Sequence, residues 1–351
     1  MLKKAAALFL VCTGLALCVG CSKSSNNYLY AAIPTASQIL AYREDPNSGA
    51  LTPLSTSPFT AGPGVNSIVI HPSKQFLYAA NSSENDISLF TISSGGSITE
   101  VTPRTPAGTT PAFLVMDPAG SFLYVANAES NNISAFSISS SSGALTAVGV
   151  PTPIGITPLN MMLSPSGNFL FVTGAGSPGY IEAFSLNAGV LTLVQVTLTG
   201  TNPYGLAIDP SGSYLYTANF GDNSISEFTI NSDGSLTQLS GSPFGEVYSS
   251  PIALLVDNSG KYLYVANEGS GNLGAYAIGS TGGLTLLTTS PFTTNAQPSL
   301  IATDPSGRYL FVGNQKSSAI ESLSLDPGTG ALAEVGSYAV GNTPKSIAVM
   351  P

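Results

Sequence analysis

A tandem repeat constrains the fold of this chain more than any other feature of its sequence. The clearest copy is residues 209–230, DPSGSYLYTANFGDNSISEFTI, which reads as a turn, a strand, a second turn and a second strand. Successive side chains of a strand point to opposite faces, and the first of these strands is apolar on both, so it must be covered on both sides. Such a unit indicates a propeller or a solenoid, in which neighbouring units cover one another.

An aromatic residue in the strand that follows the Asp-Pro-Ser-Gly-like turn marks seven units. Consecutive landmarks lie 45 to 48 residues apart, a length that suits four strands per propeller blade. The landmarks are Tyr30, Tyr78, Tyr124, Phe171, Tyr216, Tyr264 and Phe311.

The two ends of the array are complementary. The chain joins the repeat at Tyr28, where the second strand of a unit begins, whereas residues 345–350 form a first strand that no second strand follows. The C-terminal strand therefore fits as the missing inner strand of the N-terminal blade, which would close the ring and remove exposed sheet edges. An open solenoid would need polar caps instead. We predict an all-β fold: one seven-bladed β-propeller over residues 28–351, closed by this pairing.

The N-terminal segment is typical of a secretory leader. Lys3 and Lys4 precede an apolar run at 5–17, which ends in Cys18-Val19-Gly20-Cys21. The last three residues resemble the end of a bacterial lipobox, although Cys18 departs from the usual aliphatic residue. We expect a lipoprotein signal peptide at 1–21 with lipid on Cys21, the alternative being plain cleavage. Residues 22–27, SKSSNN, would form a polar tether, so the expected location is the bacterial envelope, anchored on the periplasmic or outer-membrane side.

The repeat also resembles a known family. The copies Tyr-Val-Ala-Asn at 124–127 and 264–267, the Asp-Pro-Ser-Gly turns that precede other copies, at 209–212 and 304–307, and the Gly-x-Leu-Thr segments such as 143–146 are similar to the YVTN/lactonase-like seven-bladed propellers. The resemblance covers essentially all of residues 28–351. Because that family includes 6-phosphogluconolactonase-like proteins, it implies lactone hydrolysis as one candidate activity.

Composition narrows the choice of partners. The chain has 10 Lys and Arg against 19 Asp and Glu, a formal net charge of −9, and only 8% of its residues are charged. This balance argues against nucleic acid. A surface of Ser, Thr, Asn and Gly suits neutral ligands, such as glycans or proteins. Besides the membrane anchor, we expect an unidentified protein or glycan ligand and a monomeric protein.

Two features exclude common chemistries. The letters GAGSPG at 174–179 match a dinucleotide fingerprint, but a strand follows them, whereas the pyrophosphate site requires the N-terminus of a helix. His71 is the only histidine and stands where other repeats have a turn aspartate, so a histidine metal cluster is excluded. We expect no cofactor and no metal.

The charged loop residues sort by face. Loops after the YVAN-like segments and the links between blades should share one face with the mouth of the channel, where propellers bind ligands. Our catalytic candidates there are Glu129 and Glu268, and the ligand-binding candidates are Arg104, Lys316, Lys345 and Asp222. The recurring asparagines, such as Asn81 and Asn219, are expected to bond their own turn backbone.

Two functions remain open from the sequence. The first is an interaction module that binds a protein or glycan through its mouth loops, which the predicted lipid anchor and the absence of an assembled catalytic group favour. The second is a lactone hydrolase, in which a glutamate activates water and the lysines and Arg104 bind phosphate and the oxyanion.

Overall fold

The computed structural model describes residues 27–245 and 248–350, so Cys21 and the predicted leader lie outside the described residues. Over those ranges the chain forms strands and one 3-10 helix, Pro34–Ala36. The strands are β1 Asn27–Ile33, β2 Gln38–Glu44, β3 Leu51–Pro53, β4 Phe59–Thr60, β5 Val65–Ile70, β6 Phe76–Asn81, β7 Asp86–Ile92, β8 Ile98–Pro106, β9 Pro111–Met116, β10 Phe122–Asn127, β11 Asn132–Ile138, β12 Leu145–Ala147, β13 Thr152–Pro153, β14 Pro158–Leu163, β15 Phe169–Gly174, β16 Tyr180–Asn187, β17 Val190–Leu198, β18 Pro203–Ile208, β19 Tyr214–Asn219, β20 Ser224–Ile230, β21 Leu236–Gln238, β22 Phe244–Gly245, β23 Pro251–Val256, β24 Tyr262–Asn267, β25 Asn272–Ile278, β26 Leu284–Leu286, β27 Phe292–Thr293, β28 Pro298–Thr303, β29 Tyr309–Asn314, β30 Ala319–Leu325, β31 Leu332–Ala339 and β32 Ser346–Val349.

The strands form seven antiparallel sheets, which are the blades of a propeller. Blade 1 contains β32 and β1 to β4, and blades 2 to 7 begin with β5, β9, β14, β18, β23 and β28. In blade 1 the C-terminal strand β32 pairs with β1, with Leu29 opposite Val349 and Ala32 opposite Ser346. The predicted seven-bladed β-propeller and its closure by the C-terminal strand are therefore confirmed.

Each blade is a meander, so its connections alternate between two faces of the ring. One face, which we call the turn face, carries the turns between the first and second strands and the loops between the third and fourth. The other, the mouth face, carries the loops between the second and third strands and the links between blades.

The landmark aromatics form the cores between blades. Tyr30, Tyr78 and Tyr216 are fully buried at the centre of the second strands, and the alternating residues of the same strands pack against the neighbouring blade on the other side. Burial of large aromatic surfaces is the dominant favourable contribution to such packing. The second strands are covered on both faces, as the sequence predicts.

The Asp-Pro-Ser-Gly turns are held together by their aspartate. Asp209 Oδ1 accepts the backbone N–H groups of Ser213 and Tyr214, both at 2.7 Å. Gly212 has φ of 72° and lies beside Pro165 of the preceding blade. A side chain there would be strained, which explains why glycine closes this turn.

Tyrosine hydroxyls connect successive blades on the turn face. The landmark tyrosine of one blade donates to a glycine carbonyl in the loop between the third and fourth strands of the next. These bonds, 2.7–2.9 Å long, join Tyr30 to Gly96, Tyr78 to Gly143, Tyr216 to Gly282 and Tyr264 to Gly330.

The junction between blades 7 and 1 uses different donors. Phe311 has no hydroxyl, and Ser322, opposite it on β30, donates instead to the Gly49 carbonyl at 2.7 Å. Tyr309 adds a bond to the Asn47 carbonyl at 2.5 Å. The ring is thus closed on this face by hydrogen bonds between blades as well as by β32.

The recurring asparagines have a structural role, but with partners other than those predicted. Asn219 is fully buried, and its amide donates to the side-chain hydroxyls of Ser224 and Ser226 on the third strand, both at 2.9 Å. Asn81 bonds Asp86 and Ser88 in the same way. For Asn81 and Asn219 the expected bonds to the turn backbone are therefore wrong, because the third strand presents polar side chains within reach. Asn127 bonds such side chains too, but its amide also donates to the Asn132 carbonyl, at 3.5 Å.

Candidate functional site

A cavity of about 240 Å³ lies in the central channel, where inner strands of all seven blades meet. Apolar residues such as Phe113, Met162 and Leu300 form part of its wall. The polar side chains are those of Asn66, Ser67, Asn160, Ser346 and Lys345. Among the described residues that line this cavity, Lys345 is the only charged one.

A β-bulge begins the inner strands of blades 2 to 7 at the mouth face. In β18, for example, Pro203 pairs with Asn219 and Gly205 with Ala218, so Tyr204 between them has no partner. The bulged residues are Asn66, Ala112, Leu159, Tyr204, Ile252 and Ser299. Bulges change the direction of a side chain and are frequent beside active sites. Of these bulged residues, Asn66 lines the channel cavity.

Lys345 occupies the equivalent position in blade 1. It follows the buried Pro344, its backbone N–H donates to the Ala32 carbonyl at 3.0 Å, and its side chain is exposed. Ser346 Oγ accepts the backbone N–H of Ile68 at 3.2 Å, which joins the inner strands of blades 1 and 2. Lys345 and Asn66 thus stand on neighbouring strands at the mouth.

Some polar side chains of the channel already have hydrogen-bond partners within the protein, and others have none. Ser67 Oγ accepts the N–H of Leu114 at 3.1 Å, and the Asn160 amide donates to the Tyr204 carbonyl at 2.9 Å. The side chains of Asn66 and Lys345 make no hydrogen bond to any part of the chain that the structure describes. These two groups are therefore free to bind a ligand.

An aromatic pair lies at the mouth on blade 5. The rings of Tyr204 and Phe220 meet edge to face with centroids 5.3 Å apart, and Tyr204 is 36% exposed. An exposed aromatic ring beside amide groups offers an apolar face to a ligand and hydrogen bonds around it. The mouth face thus carries the Lys345 cation, the free amide of Asn66 and an aromatic surface.

Of the six residues predicted from the sequence, Lys345 alone lines the channel cavity. Lys316 is close to the same junction, because Thr343 Oγ1 donates to the Gln315 carbonyl at 3.3 Å and so joins the two segments that lead to the lysines. Both lysine side chains are exposed. The convergence of the two lysines on a ligand stays a prediction.

Glu129 and Glu268 lie in the loops between second and third strands, as predicted. Their backbone N–H groups bond the links between blades, Glu129 to Thr109 at 3.3 Å and Glu268 to Ser250 at 2.9 Å. Glu129 is exposed and Glu268 half-buried, and neither lines the channel cavity. Their catalytic role stays a prediction.

Asp222 and Arg104 are occupied by structural contacts. Asp222 accepts the Thr201 N–H and the Ser224 hydroxyl, both at 2.7 Å. Arg104 was expected in a link between blades, but β8 extends through it because its backbone continues to pair with β7. On that outer strand Arg104 bonds Glu100 at 2.7 Å and pairs with Glu84, and the bond to Glu100 raises the pKa of Arg104.

Two buried carboxyl groups at the mouth face were missed by sequence reasoning. Glu182 Oε1 accepts the Gly155 N–H at 2.9 Å, and Glu321 Oε2 accepts the Asn295 N–H at 3.2 Å. Burial raises the pKa of both. Both stand opposite the valine of their blade's second strand and bind links between blades. Their contacts are structural.

The bulged residues Asn66 and Tyr204 were also missed. For Tyr204 a signal was present, because the inner strands of blades 3 to 7 begin with a proline and the bulged residue follows it, whereas Asn66 follows Val65. Lys345 follows Pro344 in the same way. Among the described residues, no group of three or more His, Cys, Asp or Glu side chains could hold a metal ion.

The sequence matches the family described as "Lactonase, 7-bladed beta-propeller" over residues 21–157, 155–242 and 245–349. None of the curated proteins matches the sequence. Among solved structures, a protein from Lactobacillus plantarum is 21% identical with a TM-score of 0.81, covering 93% of this chain and 99% of that one.

Two other solved structures carry names that describe an activity. A putative 6-phosphogluconolactonase from Bacteroides fragilis is 20% identical, with a TM-score of 0.80 over 94% of this chain and 99% of that one. A periplasmic gluconolactonase from Pseudomonas aeruginosa is 18% identical, with a TM-score of 0.75 over 93% and 99%. At such identities these likenesses show the fold alone. The family match spans nearly the whole sequence, and the chain therefore belongs to the seven-bladed β-propeller lactonase family.

Proposed function

We propose that this protein hydrolyses an unphosphorylated sugar lactone at the mouth of the channel. The observation that carries the proposal is the position of Lys345, the single charged side chain among the described residues of a channel wall that is otherwise neutral. A cation that reaches the lactone carbonyl would stabilise the oxyanion that develops on it. Family membership supports ester chemistry on a lactone ring.

Two other residues of the mouth face would orient the substrate. The free amide of Asn66 would bond the hydroxyl groups of the sugar, and the exposed ring of Tyr204 would stack against its apolar face. In the reaction, water adds to the lactone carbonyl while the Lys345 ammonium stabilises the oxyanion. The ring oxygen then leaves and takes up a proton, which gives the open-chain hydroxy acid.

A carboxylate is the natural base for this reaction. Glu129 and Glu268 remain the candidates, since both belong to mouth loops, and each would take a proton from the attacking water. No carboxylate lines the channel cavity within the described residues. That observation favours a second candidate function, a module that binds a sugar or a protein at the mouth without turnover.

The charges favour an unphosphorylated substrate. A phosphate group is usually held by several cationic or N–H donors, often including a bidentate arginine. The channel wall offers one lysine, and the chain carries 19 acidic against 10 basic residues. This matches the name of the gluconolactonase from Pseudomonas aeruginosa better than that of the putative 6-phosphogluconolactonase.

We place this activity in the bacterial envelope, anchored through lipid at Cys21. The described chain begins at Asn27, at the turn-face end of β1, opposite the channel mouth. A tether of a few residues would therefore leave the mouth pointing away from the membrane and open to solutes. Among the described residues no helix is long and apolar enough to cross a bilayer.

The test is a lactone assay on the purified protein with matched lysine variants. D-glucono-δ-lactone and its 6-phosphate are followed by proton release, with the uncatalysed rate subtracted. We expect turnover of the plain lactone, reduced about 100- to 1,000-fold by Lys345→Met, the usual effect of removing an oxyanion donor. Lys316→Met is the control, because Lys316 is exposed near the same junction but does not line the channel.

The outcomes separate the two candidate functions. Equal turnover in the wild type and Lys345→Met would refute the proposed site. No turnover, together with saturable lactone binding that Lys345→Met abolishes, would establish the binding module instead. Glu129→Gln and Glu268→Gln identify the base, since loss of the base slows such reactions about 100- to 10,000-fold.

A further inference from the structure

The junction between blades 3 and 4 on the turn face departs from the repeat. In four other blades the landmark tyrosine donates its hydroxyl to a glycine carbonyl of the next blade. Tyr124 is the landmark of blade 3 and is only 1% exposed, yet its hydroxyl has no hydrogen bond to any residue that the structure describes. Tyr124 lines a cavity at this junction, so its hydroxyl is open to that cavity instead of being bonded across the blades.

The cause is a shorter loop in blade 4. There β16 and β17 are joined by a two-residue turn, Ala188 and Gly189, both with positive φ, and Asn187 pairs directly with Val190. In blade 6 the corresponding loop is longer and runs from Ile278 to Leu284. The Gly282 carbonyl in that loop accepts the hydroxyl of Tyr216, the landmark tyrosine of blade 5. The tight turn of blade 4 does not bring a carbonyl to Tyr124.

A second departure lies in the adjacent turn of blade 3. In blades 5, 6 and 7 the turn aspartate accepts the hydroxyl of a serine two residues later, as Asp257 does from Ser259 at 2.5 Å. In blade 3 that serine is Ala119. Asp117 Oδ1 accepts the Phe122 N–H at 2.6 Å, but Oδ2 has no hydrogen bond within the described chain. One carboxylate oxygen therefore remains available.

Both departures open on one cavity of about 400 Å³ at the junction of blades 3 and 4. Tyr124 and Asp117 line it, together with the side chains of Asn168 and Asn187, which make no described hydrogen bond. Phe122 and Leu186 supply apolar wall, and no lysine, arginine or histidine lines the cavity within the described residues. The lining offers a hydroxyl, a carboxylate oxygen and two amides around an apolar surface.

We propose that this cavity is a second ligand site, for a neutral polyhydroxylated molecule such as a sugar unit. Hydroxyl groups both donate and accept, so they can bond the Asp117 carboxylate, the Tyr124 hydroxyl and the asparagine amides together. The apolar wall suits the C–H face of a sugar ring. An anionic ligand would meet the Asp117 carboxylate without a compensating cation. The site lies on the face opposite the channel mouth and does not depend on the proposed lactone hydrolysis.

The experiment compares two tyrosine-to-phenylalanine variants in the full-length protein. Tyr78 occupies the same repeat position as Tyr124, but its hydroxyl donates to Gly143 at 2.7 Å. We expect Tyr78→Phe to lower the melting temperature and Tyr124→Phe to leave it unchanged, because only the first loses a hydrogen bond between blades. An equal decrease in both variants would overturn the proposal, since Tyr124 would then have a structural partner.

Ligand binding is measured by saturation-transfer NMR with D-glucose, D-galactose, D-mannose and N-acetyl-D-glucosamine. Binding of at least one sugar is expected, weakened about two- to tenfold by Tyr124→Phe, the effect of one hydrogen bond, and unchanged by Tyr78→Phe. Ala119→Ser should also weaken it, because the new hydroxyl would occupy Asp117 Oδ2. Lactone turnover should be unaffected in all three variants.

Three results would overturn the second site: no sugar of the panel binds, a sugar binds equally well to Tyr124→Phe and Ala119→Ser, or calcium chloride alone binds at Asp117. A protein that binds a sugar at the second site but does not hydrolyse lactones would contradict only the activity proposed for the channel mouth. The two proposals can therefore fail separately.

Discussion

The buried carboxyl group of Glu44 makes a specific prediction about the dependence of stability on pH. Glu44 ends β2 next to the junction of blades 7 and 1 and is 1% exposed. Neither of its oxygens has a hydrogen bond to a described residue. Burial raises its pKa from 4.5 to about 7, opposed by the Asn27 amide and Arg308 and reinforced by Asp304 and Asp45.

The magnitude follows from the difference in pKa. The folded state prefers the protonated carboxyl, so the unfolded chain loses its proton first as pH rises. Glu44 therefore lowers the free energy of unfolding between pH 4.5 and about 7, and the loss is complete above that range. A pKa change from 4.5 to about 7 corresponds to about 3 kcal/mol.

The assay is urea unfolding of the wild type and Glu44→Gln below pH 4.5 and at pH 8. Glutamine resembles the protonated carboxyl, so the two proteins should be about equally stable in acid. At pH 8 the variant should be more stable by up to about 3 kcal/mol. Other buried carboxyls, such as Glu227, remain in both proteins and cancel in the difference. A wild-type-to-variant difference that is the same at both pH values would refute the reasoning.

Two further predictions concern the scaffold. Asp257→Ala should lower the free energy of unfolding by about 1–3 kcal/mol in chemical denaturation, because Asp257 accepts the N–H groups of Lys261 and Tyr262, both at 2.8 Å, which would lose their buried acceptor; Asp257→Asn is the control that keeps one acceptor oxygen. Arg104→Met should destabilise the protein by about 1 kcal/mol at low ionic strength by leaving Glu84 and Glu100 without their cation, and added salt should reduce the difference. A loss independent of salt would show that Arg104 acts through packing alone.

Local pattern was sufficient to predict the fold because every blade repeats the same solution. The turn of 209–212 and the strand that is apolar on both faces recur, so a correct interpretation of one copy predicts the others. The first strand that the N-terminal unit lacks is supplied by the strand left over at the C-terminal end. The two assignments that failed, a link position for Arg104 and backbone partners for Asn81 and Asn219, depend on how far an outer strand continues to pair and on which side chains a third strand presents.

The site was harder to predict because it is made by positions that look unremarkable in each repeat. Asn66 and Lys345 belong to different blades and line the same cavity only because the ring closes. Of the predicted residues, Lys345 reached the channel, while Asp222 and Arg104 proved to be bonded to their own blades. A sequence shows which charges share a face, but it does not show which of them already have partners.

The sequence by itself determined the blade number and the closure of the ring. Those properties depend on local spacing and alternation, which the order of residues contains directly. Only the tertiary structure decided that Lys345 faces the channel, that Glu44 is buried without a partner and that Tyr124 lost the carbonyl its counterparts use. Each of these results from contacts between blades. Ring closure brings together residues that are far apart in the chain, and the shortened loop of blade 4 leaves Tyr124 of blade 3 without an acceptor.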